Sequence, residues 1–399
     1  MGSHKLTSWL QGSASVNLVL QCATKQHRVR LDPRRFWTSA RCPVCKSAVD
    51  PTRVRRMAAW VVQRYLSSGQ SPAIRLTVWL SWGYALAAIL AWLVLWRLGD
   101  RWWPATVALF GPRWILLLPL AVLIPAAALY RRRLLGPLLV GFVIMLGPVM
   151  GFRIGWSSWI GKPDGPPDLR VMTFNVAGTA PSTLQMLIEW NPDIIAFQEC
   201  GAQLAKAISR LQDWFHDSQH GLCLVSRFPI RRVDPMERQN LAYAGGSGLV
   251  VRYAIETPQR LVEFTNLHLE TPRAGLAPLR QGQIERGLRN LQSKYIMRDI
   301  ESRQARRWVN EAQGPVLVAG DFNMPVESVI YQRYWSDLGN AFSQAGVGFG
   351  ATRLNGWIRV RIDHILMGKG WRATRAFVGP ELESDHRPMI ADLRWVGLH

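Results

Sequence analysis

Long apolar runs without charged residues mark the first part of the chain. Two of them, Leu76–Trp96 and Leu134–Phe152, exceed the length needed for a membrane-spanning helix. Such a helix needs about 20 apolar residues, with about 17 tolerated, to cross the hydrocarbon core of a bilayer. Both runs therefore predict transmembrane helices. Because no apolar run lies at the extreme N-terminus, we do not expect a cleaved signal peptide.

A third apolar run, Trp114–Tyr130, is shorter and contains Pro119 and Pro125. It gains length if Arg113 extends its guanidinium to the membrane interface, where tryptophans also accumulate. We expect a third span here, and a re-entrant or interfacial segment is the alternative. The sequence thus predicts a three-helix transmembrane region at residues 76–152.

The pattern changes after a Gly- and Pro-rich segment at residues 153–167, which predicts a linker because such residues interrupt helices and strands. From residue 168 onward, short β-rich runs alternate with helical stretches, which is typical of an α/β domain. The predicted helix is Ser182–Trp190, and the predicted strands are Arg170–Val176, Asp193–Gln198, Leu222–Ser226, Gly248–Tyr253, Leu261–Leu267, Val316–Gly320 and Ile362–Met367. We therefore expect a separate domain at residues 168–399.

Polar side chains end several of these strands. They are Asn175, Glu199, His268, Asp321 and Asn323. A sheet that brings these strand ends together would gather carboxylates, amides and an imidazole at one edge.

Such a group suits the hydrolysis of phosphate esters with a divalent metal ion. Mg²⁺ or Mn²⁺ prefers oxygen ligands, and Glu199 and Asp385 can supply carboxylates. The ion would stabilise charge that develops on the phosphoryl group. Asp321 can orient and deprotonate the attacking water, and Asp363 can hold His386 as an imidazolium that faces the phosphate.

Six short motifs carry a resemblance to a known family. They are Thr173-Phe-Asn-Val176, Pro192-Asp-Ile-Ile-Ala-Phe-Gln-Glu199, Asn266-Leu-His-Leu269, Gly320-Asp-Phe-Asn323, Arg361-Ile-Asp-His364 and Ser384-Asp-His-Arg-Pro388. In this order, the motifs resemble those of the endonuclease/exonuclease/phosphatase superfamily, which has the DNase I-like fold. The resemblance implies a four-layered α/β sandwich with two packed mixed sheets and an active site at one edge.

The resemblance also implies roles for the site residues. Glu199 would be the principal metal ligand, with Asn175 and Asp385 beside the ion. Asp321 would position or activate water, Asn323 would orient the phosphate, and Asp363 would pair with His386. His268 matches a second histidine found in the DNase and sphingomyelinase branches of the superfamily.

The formal net charge of +21 is concentrated before the predicted domain. Residues 1–162 contain 21 basic and 3 acidic residues, whereas residues 163–399 contain 27 and 24. The excess therefore flanks the apolar runs, where basic residues mark cytoplasmic ends, and it does not indicate a nucleic-acid-binding surface. Six basic residues against five, together with the compact Arg131–Arg133 cluster, favour a cytoplasmic N-terminus and an extracytoplasmic C-terminal domain in the cell membrane.

Residues 1–56 resemble a small zinc ribbon. Cys42 and Cys45 form a Cys-x-x-Cys pair, Cys22 can supply a third ligand, and His27 is the candidate for a fourth. A degenerate ribbon without metal, or a redox pair, is the alternative. Zn²⁺ is thus an expected cofactor only if all four ligands act together.

The substrate class stays open at this level between a nucleic acid and a phospholipid such as sphingomyelin. Arg273 can clamp a phosphate, and Trp357 can stack on a base or enter lipid. Cys200 and Cys223 are expected to be small buried residues, or a disulfide if the domain is exported. The alternative function is a membrane sensor or scaffold whose DNase I-like domain only binds. Intact catalytic positions favour the enzyme.

Overall fold

The structure is a computed structural model, and it describes residues 18–21, 28–31, 71–155, 165–177, 182–243, 245–356 and 358–397. The chain divides into two compact units, Met1–Val78 and Trp79–His399. In the first unit, the strands β1 (Leu18–Gln21) and β2 (Arg28–Leu31) pair antiparallel. The predicted zinc ligands lie outside the described residues: Cys22, His27, Cys42 and Cys45.

Three helical segments are long and apolar enough to cross a membrane: Pro72–Leu98, Arg113–Tyr130 and Arg132–Val149. The first is a single helix, α1 (Pro72–Leu98), and a short helix, α2 (Trp103–Phe110), follows it. The second consists of a 3₁₀ turn and α3 (Leu118–Tyr130), and the third combines a 3₁₀ turn, α4 (Leu135–Ile144) and a π turn. The middle segment is therefore helical throughout despite its two prolines.

Two six-stranded sheets follow. The first contains β3 (Leu169–Asn175), β4 (Ile194–Gln198), β5 (Phe215–Gln219), β6 (Leu222–Ser226), β15 (Trp371–Val378) and β16 (Met389–Trp395). The second contains β7 (Ile230–Pro235), β8 (Leu249–Glu256), β9 (Leu261–His268), β10 (Val316–Asp321), β11 (Gly339–Asn340) and β14 (Asp363–Met367). A separate hairpin joins β12 (Arg353–Asn355) to β13 (Ile358–Val360).

Helices lie between these strands. They are α5 (Thr183–Ile188), α6 (Ala202–Ile208), α7 (Gln239–Tyr243), α8 (Arg273–Arg280), α9 (Ile284–Asn310), α10 (Val329–Tyr334) and α11 (Ala341–Ala345). All seven predicted strands are present, with ends that shift by up to three residues.

Both sheets are mixed. The strand orders are β15-β16-β3-β4-β6-β5 and β11-β14-β10-β9-β8-β7. The pairs β3/β4 and β9/β10 are parallel, and the other pairs in these sheets are antiparallel. Each sheet therefore has one central parallel pair whose carboxyl ends point in the same direction.

Apolar side chains from the two sheets form one shared core. Val171 and Ile194 of the first sheet belong to the same buried cluster as Phe264 and Leu317 of the second. Two further clusters cover the outer faces of the sheets, one with α5 and α6 and one with α9 and α10. Helices thus lie outside both sheets, and the predicted four-layered, DNase I-like α/β sandwich is confirmed.

Candidate active site

The central parallel strands end in the polar residues that the sequence singled out. Asn175 ends β3, Glu199 directly follows β4, His268 ends β9 and Asp321 ends β10. In the second sheet, Asp321 lies opposite His268 on one side and Asp363 on the other. The topology therefore brings residues 146 positions apart, such as Asn175 and Asp321, into hydrogen-bonding contact.

Asn175 links the two sheets at this edge. Its Nδ2 donates to Oε1 of Glu199 at 3.0 Å and to Oδ2 of Asp321 at 3.0 Å. Its Oδ1 accepts a hydrogen bond from the backbone N–H of Ala177 at 3.0 Å. In this arrangement the amide orients two carboxylates, and its expected position beside a metal ion stays a prediction.

Backbone conformations that side chains rarely adopt accompany the acidic residues. Glu199 has φ of +53° and Asn323 has φ of +52°, and such values occur mainly where surrounding structure or function requires them. Gly320 precedes Asp321 with φ of +154°, and a Cβ there would lie 2.0 Å from the carbonyl oxygen of Leu267. Only glycine fits this close approach of β10 to β9.

Asp363 and His386 form a buried pair. Nδ1 of His386 lies 2.9 Å from Oδ2 of Asp363, and neither side chain is exposed to solvent. On the other side of the ring, Nε2 lies 3.8 Å from Oδ2 of Asp321. Burial lowers the pKa of His386, but the charges of Asp363 and Asp321 outweigh that effect and raise the pKa to about 9. The raised pKa favours the protonated form of the ring.

Asp321 is almost completely buried among these groups. Burial raises the pKa of its carboxyl, and the charge of Asp363 adds to that rise, whereas His386 and His268 oppose it. Nε2 of His268 lies 3.6 Å from Oδ2 of Asp321 and 3.9 Å from Oε1 of Glu199. An acid with a raised pKa next to a cationic ring is suited to accept a proton during hydrolysis.

Asn323 lies directly behind this cluster. Its backbone N–H donates to Oδ1 of Asp321 at 2.8 Å, and its Nδ2 donates to the carbonyl oxygen of Leu269 at 2.8 Å. The motif Gly320-Asp-Phe-Asn323 thus forms a turn that fixes the carboxylate of Asp321. The expected contact of Asn323 with a phosphate stays a prediction.

Two arginines flank Asp385, one expected and one not. Nη2 of Arg273 lies 4.0 Å from Oδ2 of Asp385. Arg353, which sequence reasoning missed, pairs with Asp385 through Nη2, and its Nη1 lies 2.6 Å from Nε2 of His386. In the sequence, no pattern distinguishes Arg353 from the nearby Arg359 and Arg361. The contact exists because β12 forms a bridge with His386.

Two donor sets are candidates for a divalent metal ion. Asp321, Asp363 and His386 have ligand atoms that all lie within 4.8 Å of one another, but this group is buried and contains the cationic ring. The carboxylates of Glu199 and Asp385 are 42% and 41% exposed, and Mg²⁺ retains several waters when it binds carboxylates. The open pair therefore fits a hydrated ion better than the closed cluster.

Four other residues that the sequence analysis named have no role in this cluster of side chains. His364 is buried, bonds to the carbonyl oxygen of Met324 at 2.9 Å, and has a pKa lowered to about 3 because burial disfavours its charged form. Trp357 lies outside the described residues. Cys200 and Cys223 form a disulfide bond directly after Glu199. Both cysteines are buried, as expected, and the disulfide expected for an exported domain is present.

Comparisons with known proteins give a family match. A model of the Endonuclease/Exonuclease/phosphatase family matches residues 172–386. No curated protein sequence matches the chain. The family's name covers enzymes that cleave phosphate esters.

Solved structures of low identity also match. TDP2 of D. rerio, humanized by 14 mutations, is 15% identical, with 57% of this chain and 98% of that chain covered and a TM-score of 0.43. The endonuclease/exonuclease/phosphatase family protein from Leptotrichia buccalis C-1013-b is 16% identical, with 57% and 100% covered and a TM-score of 0.42. Because the family model matches more than half of the chain, this protein belongs to the endonuclease/exonuclease/phosphatase family.

Proposed function

We propose that the protein is a membrane-anchored, divalent-metal-dependent phosphodiesterase. The observation that carries the proposal is the buried ring of His386, held by Asp363 and facing Asp321 at the edge of the two sheets. A positively charged donor can stabilise a phosphoryl group that water attacks. A neighbouring carboxylate with a raised pKa can accept the proton of that water. The open carboxylates of Glu199 and Asp385 supply the place for the metal ion.

Each side chain then has a defined task. Mg²⁺ or Mn²⁺ on Glu199 and Asp385 would supply a Lewis acid that stabilises phosphoryl charge. Asp321 orients the attacking water and accepts its proton. His386 donates to a phosphoryl oxygen from Nε2, while Asp363 fixes the ring through Nδ1.

The remaining polar residues position the substrate. His268 and Asn323 lie next to Asp321 and are placed to orient the phosphate. Arg353 and Arg273 supply guanidinium groups, which bind phosphate with paired hydrogen bonds. Arg353 contacts His386 and Asp385, so a phosphate that binds Arg353 would compete with the carboxylate of Asp385 for the guanidinium group.

The setting of the domain is part of the proposal. Three apolar helices anchor residues 168–399 to the cell membrane, with the N-terminus in the cytoplasm and the catalytic part outside it. The Cys200–Cys223 disulfide supports that side, because disulfides persist mainly outside the reducing cytosol. Residues 1–56 are a cytoplasmic segment in which Cys22, His27, Cys42 and Cys45 are candidate Zn²⁺ ligands.

The test uses the full-length protein purified in detergent. We expect hydrolysis of bis-p-nitrophenyl phosphate with Mg²⁺ or Mn²⁺, loss of activity in excess EDTA, and recovery when metal is restored. His386→Ala should abolish turnover, whereas His216→Ala, an exposed histidine on β5, should not. If the wild type is inert with both metals on this ester, DNA, RNA and sphingomyelin, the enzyme proposal is wrong.

A further inference from the structure

A short amphipathic helix connects the first two apolar segments. In α2, the side chains of Ala105, Thr106, Leu109 and Phe110 are buried, whereas Trp103 and Val107 on the opposite face are exposed, as is the adjacent Trp102. Exposed tryptophans next to membrane-length helices are typical of the bilayer interface. The exposed face of α2 therefore suits contact with lipid headgroups.

A buried ion pair fastens this region to the catalytic part. Oδ1 of Asp100, just before α2, lies 2.8 Å from Nη1 of Arg298 on α9, and both side chains are almost completely buried. Asp100 also accepts a hydrogen bond from Ser328. Arg298 can be buried because Asp100, 198 residues earlier, neutralises its charge.

The same arginine reaches the active site. Nη2 of Arg298 donates to the backbone carbonyl oxygen of Asn323 at 3.1 Å. Asn323 in turn bonds to the carboxylate of Asp321. A chain of hydrogen bonds thus runs from the segment after α1 to the turn that holds the proposed proton acceptor.

Two further contacts join the two parts. Nη1 of Arg113 lies 3.2 Å from Oε2 of Glu327, and both side chains are only 9% exposed. After the third apolar segment, Arg153 forms an antiparallel bridge with Gly348, with both backbone hydrogen bonds at 2.8 Å. Together with Asp100, these contacts involve the residues that follow the first apolar segment, precede the second and follow the third. They therefore restrict both rotation and separation of the apolar segments relative to the catalytic part.

The contacts also place the active site close to α2. Cα atoms of α2 lie within 8 Å of those of β13. Val360 of β13 pairs with Arg353 of β12, and Arg353 contacts His386 and Asp385. Only one hairpin therefore separates the proposed interfacial helix from the active-site cluster.

We propose that this docking holds the active site at the bilayer surface and that its substrate is a phosphate ester carried by a membrane lipid. The inference rests on the proposed phosphodiesterase function and names its substrate class. Residues 163–399 carry 27 basic and 24 acidic residues, which gives no large positive excess for a polynucleotide backbone. A lipid headgroup would present a single phosphodiester next to α2 and the hairpin.

The experiment compares substrates for the full chain reconstituted in lipid vesicles. The probes are phosphatidylglycerol, phosphatidylcholine and sphingomyelin in the vesicle, single-stranded DNA in solution, and bis-p-nitrophenyl phosphate as the soluble reference. We expect release of a headgroup phosphate from at least one lipid, detected by ³¹P NMR, and no DNA cleavage. DNA cleavage with intact lipids, while the reference ester is hydrolysed, overturns the lipid assignment and leaves the phosphodiesterase proposal standing.

A docking variant tests the placement. The double substitution Arg113→Gln, Glu327→Gln removes their ion pair and the hydrogen bond from Arg113 to the carbonyl oxygen of Val149, without touching the catalytic cluster. Asp337→Asn, which removes an exposed ion pair with Arg306, is its matched control. We expect the double variant to lose about ten-fold in lipid hydrolysis, since small misplacements of a bound substrate have large effects, with the soluble reaction unchanged. Equal lipid activity in wild type and double variant overturns the docking role. If even the reference ester is inert, the phosphodiesterase proposal fails, and this inference fails with it.

Discussion

The ring of His386 and the carboxylate of Asp363 form a 2.9 Å contact with no solvent exposure on either side chain. The second carboxylate oxygen of Asp363, Oδ1, is buried without a hydrogen-bond partner among the described residues. An unpaired buried oxygen is costly unless charge nearby compensates it, and the imidazolium supplies that charge. The pair is therefore a unit in which the carboxylate sets both the orientation and the charge of the ring.

Asp363→Asn should keep the shape of this pair and remove its charge. We expect the turnover number for bis-p-nitrophenyl phosphate to fall by about 10² to 10⁴, because the ring loses its preferred protonation state. Circular dichroism should show an intact fold. The control is Asp392→Asn, which removes a mostly buried carboxylate from its pair with Arg170 outside the site. An unchanged turnover number would contradict the proposed role of Asp363.

Arg353→Ala should weaken substrate binding. A charged hydrogen bond contributes about 1.5–3 kcal/mol, so we expect KM to rise by roughly ten-fold or more with a smaller effect on kcat. Arg359→Ala is the matched control, because Arg359 lies exposed on the same hairpin. Steady-state kinetics on the soluble ester measure both constants. An increase in kcat/KM would instead show that Arg353 occludes the site.

The Cys200–Cys223 disulfide joins two residues that are 23 positions apart and closes a loop next to Glu199. The double variant Cys200→Ser, Cys223→Ser should be less stable by about 3 kcal/mol, as the loop-entropy relation gives for this length. Urea unfolding measures the loss. Dithiothreitol should lower the midpoint of the wild type and leave that of the double variant unchanged, which separates this bond from the other cysteines. A wild-type midpoint that is insensitive to the reductant would show that the bond is absent from the native protein.

Glu301 on α9 predicts a dependence of stability on pH. Burial raises the pKa of its carboxyl to about 7, although the backbone N–H groups of Glu270 and Gly248 donate to it and oppose the rise. The folded-state pKa exceeds the unfolded value of 4.5, so the folded protein holds this proton more tightly. The resulting stabilisation is fully present below the unfolded pKa and is lost as the pH rises through about 7.

Glu301→Gln should remove this dependence. Relative to the variant, the wild type should lose unfolding free energy, by at most a few kcal/mol, as the pH rises from about 5 to about 8. Urea unfolding at both pH values measures the difference. Glu311→Gln, which alters an exposed glutamate just after α9, should show no such change. Parallel curves for wild type and Glu301→Gln would show that Glu301 does not titrate in this range.

The local sequence determined much of this protein. Apolar runs predicted the three helices long enough to span a membrane, because length and polarity alone set that requirement. Strand periodicity and the polar residues at strand ends predicted the edge where Glu199, Asp321 and His268 meet. Once the fold pairs β9 with β10 in parallel, their carboxyl ends lie together, and His268 lies beside Asp321.

Only the tertiary structure decided the contacts between distant segments. Arg353 reaches His386 because a hairpin folds over the site, and Asp100 neutralises Arg298 because the segment after α1 packs on α9. Arg113, which precedes the second apolar segment, contacts Glu327, and Arg153, which follows the third, contacts Gly348. The sequence alone does not show which group will pair with a charged residue. The energy of burying that residue depends on which opposite charge the fold brings within a few ångströms.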